Sequence, residues 1–430
     1  MVLKSRFFLT LALVSLVCAA SAWTAGGCGN GSDGSSDGDS DGDSDGDSDG
    51  DSDGDSDGDV DIETVDMLIM IDNSISMAQE QAILATAVYG LVSSLMFPLA
   101  GSDYLPVDDL RLAVVTSNMG FSSNGESNDD YWPGPPVPSC EGLGDNGAFQ
   151  DVVADSVALP DAEYPCDATE AQCPGGWMCE GIDPETGVGT CQTDGPASVD
   201  CGGIGGLWAE GGALPEQAAC LAVQGTSGCG FEQQLASVAA GLTRSDQIDF
   251  VRDDAGLVVL VVSDEEDCSM EDGPGLFSED EVTQQADKKI NLACGNHPEY
   301  LYEPDHFYDV FVGIKGSPAA VFFAAIVGVP YEGGQADACQ GAGDEIGDCL
   351  DQSDMQLEAE QPNAPADDTW FFHPACERSA GEEIVTKAFP GRRYVELANG
   401  SFGARNFVYS ICNPDWAPAF EAIRDVAAAW

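Results

Sequence analysis

Asp72, Ser74 and Ser76 stand at two-residue steps, directly after an apolar run at 67–71 (MLIMI) and just before a helical pattern. One carboxylate and two hydroxyls on a tight loop are hard oxygen donors. They suit Mg2+ or Mn2+ rather than zinc, whose sites are built from nitrogen and sulfur. The same residues also have a plainer reading. Ser76 and Gln79 fit a capping box, in which side chains satisfy the free N–H groups at a helix start. The pentapeptide alone leaves both readings open.

Oxygen donors need a rigid support, and the flanking sequence describes one. The run at 67–71 reads as a strand covered on both faces, as parallel strands are. Residues 256–263 (GLVVLVVS) read as the central strand and run into Asp264, Glu265, Glu266 and Asp267. Further strands are expected at 111–117 (RLAVVTS), 320–329 and 407–411. Helices are expected at 77–99, where Ile83, Ala87, Leu91 and Leu95 follow a 3.6 period, and at 216–224, 231–242, 278–291 and 416–429. Another is expected around Phe307, Val310, Phe311 and Ile314, stopped by Gly316. Alternating strands and helices imply an α/β fold with a doubly wound, mostly parallel sheet. Ligands of such sheets bind beyond the carboxyl ends of the strands, at the point where strand order reverses. Strands ending at Asp72 and Asp264 can flank that point, so two carboxylates distant in sequence converge.

The chain has 430 residues and a formal charge of −62. Residues 1–27 read as an export signal: Lys4 and Arg6 precede an apolar segment at 7–18, and small residues follow. Ala25-Gly26-Gly27-Cys28 resembles a bacterial lipobox without its usual leucine. Of 16 cysteines, Cys18 leaves with the signal and a lipidated Cys28 leaves 14, an even number suited to disulfides in an oxidising compartment. Gly29 after Cys28 points to the outer membrane or cell surface, with a secreted or periplasmic protein as the alternative. Residues 28–61 hold 14 Asp, and SDGD repeats six times within 36–59. A segment with nothing to bury is expected to be an extended, self-repelling tether. The repeat resembles the Asp-rich units of thrombospondin type 3 arrays, which implies at most weak Ca2+ binding. From residue 62 onward 62 acids face 12 bases, a surface that repels nucleic acid and anionic lipid and gathers divalent cations.

Residues 121–215 are rich in Gly, Pro, Asp and Cys and lack periodicity, which marks a disulfide-stabilised insertion. At its centre Cys166, Cys173, Cys179 and Cys191 suggest a two-disulfide module, their spacings lacking the paired CxxC of zinc sites. Three further pairings, Cys268–Cys294, Cys339–Cys349 and Cys376–Cys412, are expected from short separation. Enzyme motifs are absent from the sequence: His297, His306 and His373 form no HExxH, and there is no Gly-x-Ser-x-Gly. The best enzymatic rival makes Asp72 a phosphoryl acceptor, as in haloacid-dehalogenase-like phosphatases, but Ser74 stands where their second Asp belongs.

Asp72-Asn-Ser74-Ile-Ser76 resembles the Asp-x-Ser-x-Ser motif of von Willebrand factor type A domains, which opens their metal-ion-dependent adhesion site. The stretches CGFEQQL, FVRDDAGLVVLVVSDEEDCS and SIC are similar to cysteine-bearing type A domains of predicted bacterial lipoproteins. The resemblance implies one Rossmann-like type A domain over 62–430, interrupted by the insertion. It implies metal ligands on three loops: Asp72, Ser74 and Ser76; Thr226, with Ser227 as its substitute; and Asp264. It further implies a non-enzymatic protein whose Mg2+ or Mn2+ keeps one position for a partner protein's carboxylate. Ile75 departs from the Gly common in the family. An envelope protein with a purely stabilising metal is the alternative.

Overall fold

The computed structural model describes residues 64–430 apart from 133–136, 138, 160–162, 196, 212–213, 278–289, 361–370, 381–382 and 403–404. The export signal, Cys28, the tether and most of the helix expected at 278–291 therefore lie outside the described residues.

Six strands make the central sheet: β1 (Thr64–Ile71), β2 (Asp109–Thr116), β3 (Ala209–Glu210), β4 (Gly256–Val262), β5 (Val321–Val327) and β6 (Asn406–Ser410). Their order is β3-β2-β1-β4-β5-β6. All neighbours are parallel except β3, which pairs antiparallel with β2. β1, β4 and β5 are buried almost throughout because helices cover both faces. Met67, Ile69 and Ile71 face α1 (Ala78–Met96), α2 (Leu214–Leu221) and α6 (Ala417–Ala427). Leu68 and Met70 face α3 (Gln234–Thr243), α4 (Pro304–Lys315) and α5 (Arg392–Ser401). A continuous apolar run is what a strand buried on two sides requires. Gly316 stops α4 as expected, in the left-handed conformation at φ 72° with its N–H on the Val312 carbonyl.

Two elements depart from the expectations. β3 falls inside the region read as insertion, so that region also supplies a sheet edge; two residues carry no period to read. α5 lies outside every helix expected from the sequence. Its buried face, Tyr394, Val395, Leu397 and Ala398, is interleaved with charge, and its start carries two Arg where acids are favoured. The missing acid comes from far away: Glu266 accepts from the Arg392 and Arg393 amides at 3.0 and 3.2 Å.

All 14 cysteines of the body are paired. Cys268–Cys294, Cys339–Cys349 and Cys376–Cys412 are bonded as expected, and the central module closes as Cys166–Cys179 and Cys173–Cys191. That module rests on α1, where Tyr164 stacks on Tyr89 with ring centroids 4.7 Å apart and its hydroxyl donates to the Thr86 carbonyl. Among the described residues no helix is long and apolar enough to cross a membrane.

Candidate metal centre

β1 and β4 are neighbours at the reversal of strand order, and Asp72 and Asp264 lie just beyond their carboxyl ends. The ladder extends into the loops: the Asp72 amide donates to the Val262 carbonyl at 3.0 Å, and Ser263 to Ile326 at 3.2 Å. Asp72 is fully buried and held at both oxygens. Oδ1 accepts from the Ser74 amide at 2.8 Å and the Ser117 hydroxyl at 3.3 Å. Oδ2 accepts from the Ser263 hydroxyl at 2.7 Å, which in turn accepts from the Gln234 amide side chain at 2.9 Å.

The capping-box reading of Ser76 fails. The first turn of α1 has no side-chain cap, and the Ser76 hydroxyl instead lies 3.1 Å from that of Ser74, on the side of Asp264, whose carboxyl it acts to lower. Asp264 is 3 % exposed, and its Oδ1 has no hydrogen-bond partner among the described residues. A buried, unpaired carboxylate oxygen beside two hydroxyls is a donor set with a place for a hard cation.

The Thr226 loop is seated against the Asp72 loop at Gly228. Its amide donates to the Asn73 carbonyl at 2.8 Å, and an added Cβ would fall 1.9 Å from Asn73 Oδ1, so only glycine permits this approach. Gln81 locks the junction from α1: its Nε2 donates to the carbonyls of Asp72 and Gly225, and its Oε1 accepts from the Gln224 amide. Ser74, Ser76, Thr226 and Ser227 thereby line one open cleft of about 770 Å3, together with Glu232, Glu265 and Lys387. Ile75, 87 % exposed, points out over this cleft and does not constrict the loop. Val137 and Ser139 bring the insertion to the cleft wall, tied there by Cys140–Cys229.

The electrostatics are one-sided. Burial raises the Asp72 carboxyl above its ordinary range, against hydrogen bonds from Ser263, Ser74 and Ser117 that lower it. Burial and then the charge of Asp72 push Asp264 well above its range. Glu232 is raised well above its range by burial and by Asp72, Glu265 and Asp264. Glu265 is raised by burial, Asp264 and Asp72, with Lys387 opposing. In each case burial is the largest cause, and the neighbouring carboxylates add to it at Asp264, Glu232 and Glu265.

The acidic run after β4 is held inside the fold. Asp267 is buried, accepting from the Leu235 amide, the Ser269 hydroxyl and Arg393 Nε, while Glu266 caps α5 and is pushed up to about 8 by burial. Ser117, Ser263, Gln81, Gln234 and Glu232 were not read from sequence. Ser117 and Ser263 could have been, since each directly follows a sheet strand beside the expected site. The sulfurs of Cys166, Cys173 and Cys191 lie within 4.8 Å of one another, but all three are disulfide sulfurs and offer no thiolate to a metal. No family model and no curated protein matches this chain.

Proposed function

We propose that the body of this chain is a metal-dependent, non-enzymatic protein-binding domain of the von Willebrand type A kind. On this reading it is exported and held at the outer membrane or cell surface through a lipidated Cys28 and an acidic tether. The observation that carries it is the arrival of Asp72 and Asp264 at the carboxyl ends of neighbouring strands beside Ser74 and Ser76, with Asp264 Oδ1 buried and without a hydrogen-bond partner among the described residues. The strand order is that of doubly wound sheets whose switch point binds ligands. Here β1 leads into oxygen donors and not into the glycine fingerprint of a dinucleotide site.

Asp72, Ser74, Ser76, Thr226 and Asp264 would hold Mg2+ or Mn2+, and the cation would supply a Lewis-acidic contact for a partner's carboxylate. The enzymatic rival is disfavoured because Ser74 stands where a phosphoryl-accepting Asp would have its second Asp. Calorimetric titration of Mg2+, Mn2+ and Ca2+ into the full chain and into Asp72→Ala tests the reading. Saturable Mg2+ or Mn2+ binding above the tether's background, lost in the variant, is expected. Identical isotherms would overturn it.

A further inference from the structure

Glu232 stands two residues before α3, on the segment that also carries Thr226. Its surroundings fix it. Cys229 is bonded to Cys140, and the Cys268 amide donates to the Glu232 carbonyl at 2.9 Å. The neighbouring Gln233 side chain donates to the carbonyls of Gly120 and Ser122 and accepts from the Met270 amide. Gln234 reaches Ser263, the serine that holds Asp72. A carboxylate on so rigid a support points where the fold puts it.

It points into the cleft beside Ser74, Ser76 and Thr226. The side chain is 6 % exposed, and among the described residues it takes part in no ion pair. The charges that face it are those of Asp72, Glu265 and Asp264, all negative. Among the described residues no Lys or Arg pairs with Glu232, and Lys387 acts on Glu265. Among the described residues this buried carboxylate faces carboxylates and pairs with no Lys or Arg, an arrangement that a bound cation would neutralise.

We propose that Glu232 is a further ligand of the metal centre, an internal carboxylate that takes the coordination position otherwise left for a partner's acid. This rests on the metal-centre reading above. A partner's carboxylate must then displace Glu232, and the resting centre is closed by its own chain. With Asp72, Asp264 and Glu232 around one cation, the site is richer in carboxylates than Mg2+ ordinarily takes, and Mn2+ or Ca2+ gains relative to Mg2+.

The test uses Mn2+ and the full chain, so that the tether contributes equally to every sample. Electron paramagnetic resonance reads Mn2+ affinity, and double resonance with labelled water reads how many waters the bound ion carries. Glu232→Gln is expected to weaken the Asp72-dependent Mn2+ site by about tenfold or more, and to add about one coordinated water. Glu265→Gln, the same loss of charge in the same cleft, is expected to leave the water count unchanged. Should Glu232→Gln not fold, Glu232→Asp keeps the charge but withdraws it by one methylene and must show the same added water. An unchanged water count at position 232, whatever the affinity, overturns the proposal. If the wild type binds no more Mn2+ than Asp72→Ala, the metal-centre reading fails as well.

Discussion

The two ends of β1 both bury a carboxylate and treat it in opposite ways. At the amino end Asp66 is fully buried, and Arg252 grips it: Nε donates to Oδ1 at 2.8 Å and the Arg252 amide to Oδ2 at 2.7 Å, with Lys315 also acting on it. At the carboxyl end Asp72, Asp264 and Glu232 are as deeply buried, yet among the described residues none of them forms an ion pair with Lys or Arg. Asp267, beside that centre, again receives an arginine, Arg393 at 3.0 Å. Arg252 and Arg393 thus sit on two buried carboxylates, Asp66 and Asp267, while Asp72 and Asp264 beside Ser74 and Ser76, and Glu232 on the cleft wall, receive no such partner among the described residues. Burial alone does not distinguish these two treatments of an acid; the presence of a cationic partner does.

The largest expected effect tests the compensated end. Arg252→Ala leaves Asp66 buried without its guanidinium and is expected to cost on the order of 3–5 kcal/mol in urea unfolding. Asp72→Asn in metal-free protein relieves the repulsion felt by Asp264 and Glu232 but gives up one of the two acceptor oxygens held by Ser74, Ser117 and Ser263, so it is expected to cost clearly less than Arg252→Ala. Equal losses in the two variants would erase the distinction.

The next effect is pH-dependent. Asp72, Glu232, Asp264 and Glu265 all have folded-state carboxyls raised above their ordinary range, and Glu266 is raised to about 8. Groups raised on folding stabilise the fold while protonated. That contribution is complete below their unfolded values near 4 and is lost as pH climbs through the folded ones. Metal-free protein is therefore expected to lose stability from about pH 4 to 8. Saturating Mn2+ holds the site's carboxylates ionised in the folded state, which flattens the slope and adds roughly 2.7 kcal/mol at a hundred times Kd. Parallel pH profiles with and without Mn2+ would contradict this.

The smallest effect separates two neighbouring hydroxyls. Thr226→Val is expected to weaken Mn2+ binding by about tenfold, while Ser227→Ala changes it by less than about twofold. The reverse ranking would move the ligand to Ser227.

Much of this contrast was legible in the sequence. Asp72, Ser74 and Ser76 follow a strand whose apolar run is long enough to read, and Asp264 follows the most apolar strand of the sheet. Their convergence followed from strand order alone. Glu232 was illegible because its meaning comes from the charges that face it, which are contributed by Asp72 on one strand end and by Asp264 and Glu265 on another. The same holds for α5, whose N-terminal acid, Glu266, is 126 residues away from the amide it caps. The acidic run at 264–267 shows the limit most plainly. Four adjacent acids read alike, yet the fold sets Asp264 just beyond β4, Glu265 on the cleft wall, Glu266 at a helix start and Asp267 against an arginine. Local pattern marks where strands end; it does not say which acid receives a partner from elsewhere.

The most direct measurement is anomalous diffraction from crystals of the protein grown with Mn2+. One strong peak is predicted between the carboxyl ends of β1 and β4, about 2.0–2.2 Å from the Ser74 and Ser76 hydroxyl oxygens, as direct ligands of such a cation require. A peak only among other acidic surfaces, or none at this point with the cleft open to solvent, would contradict the account.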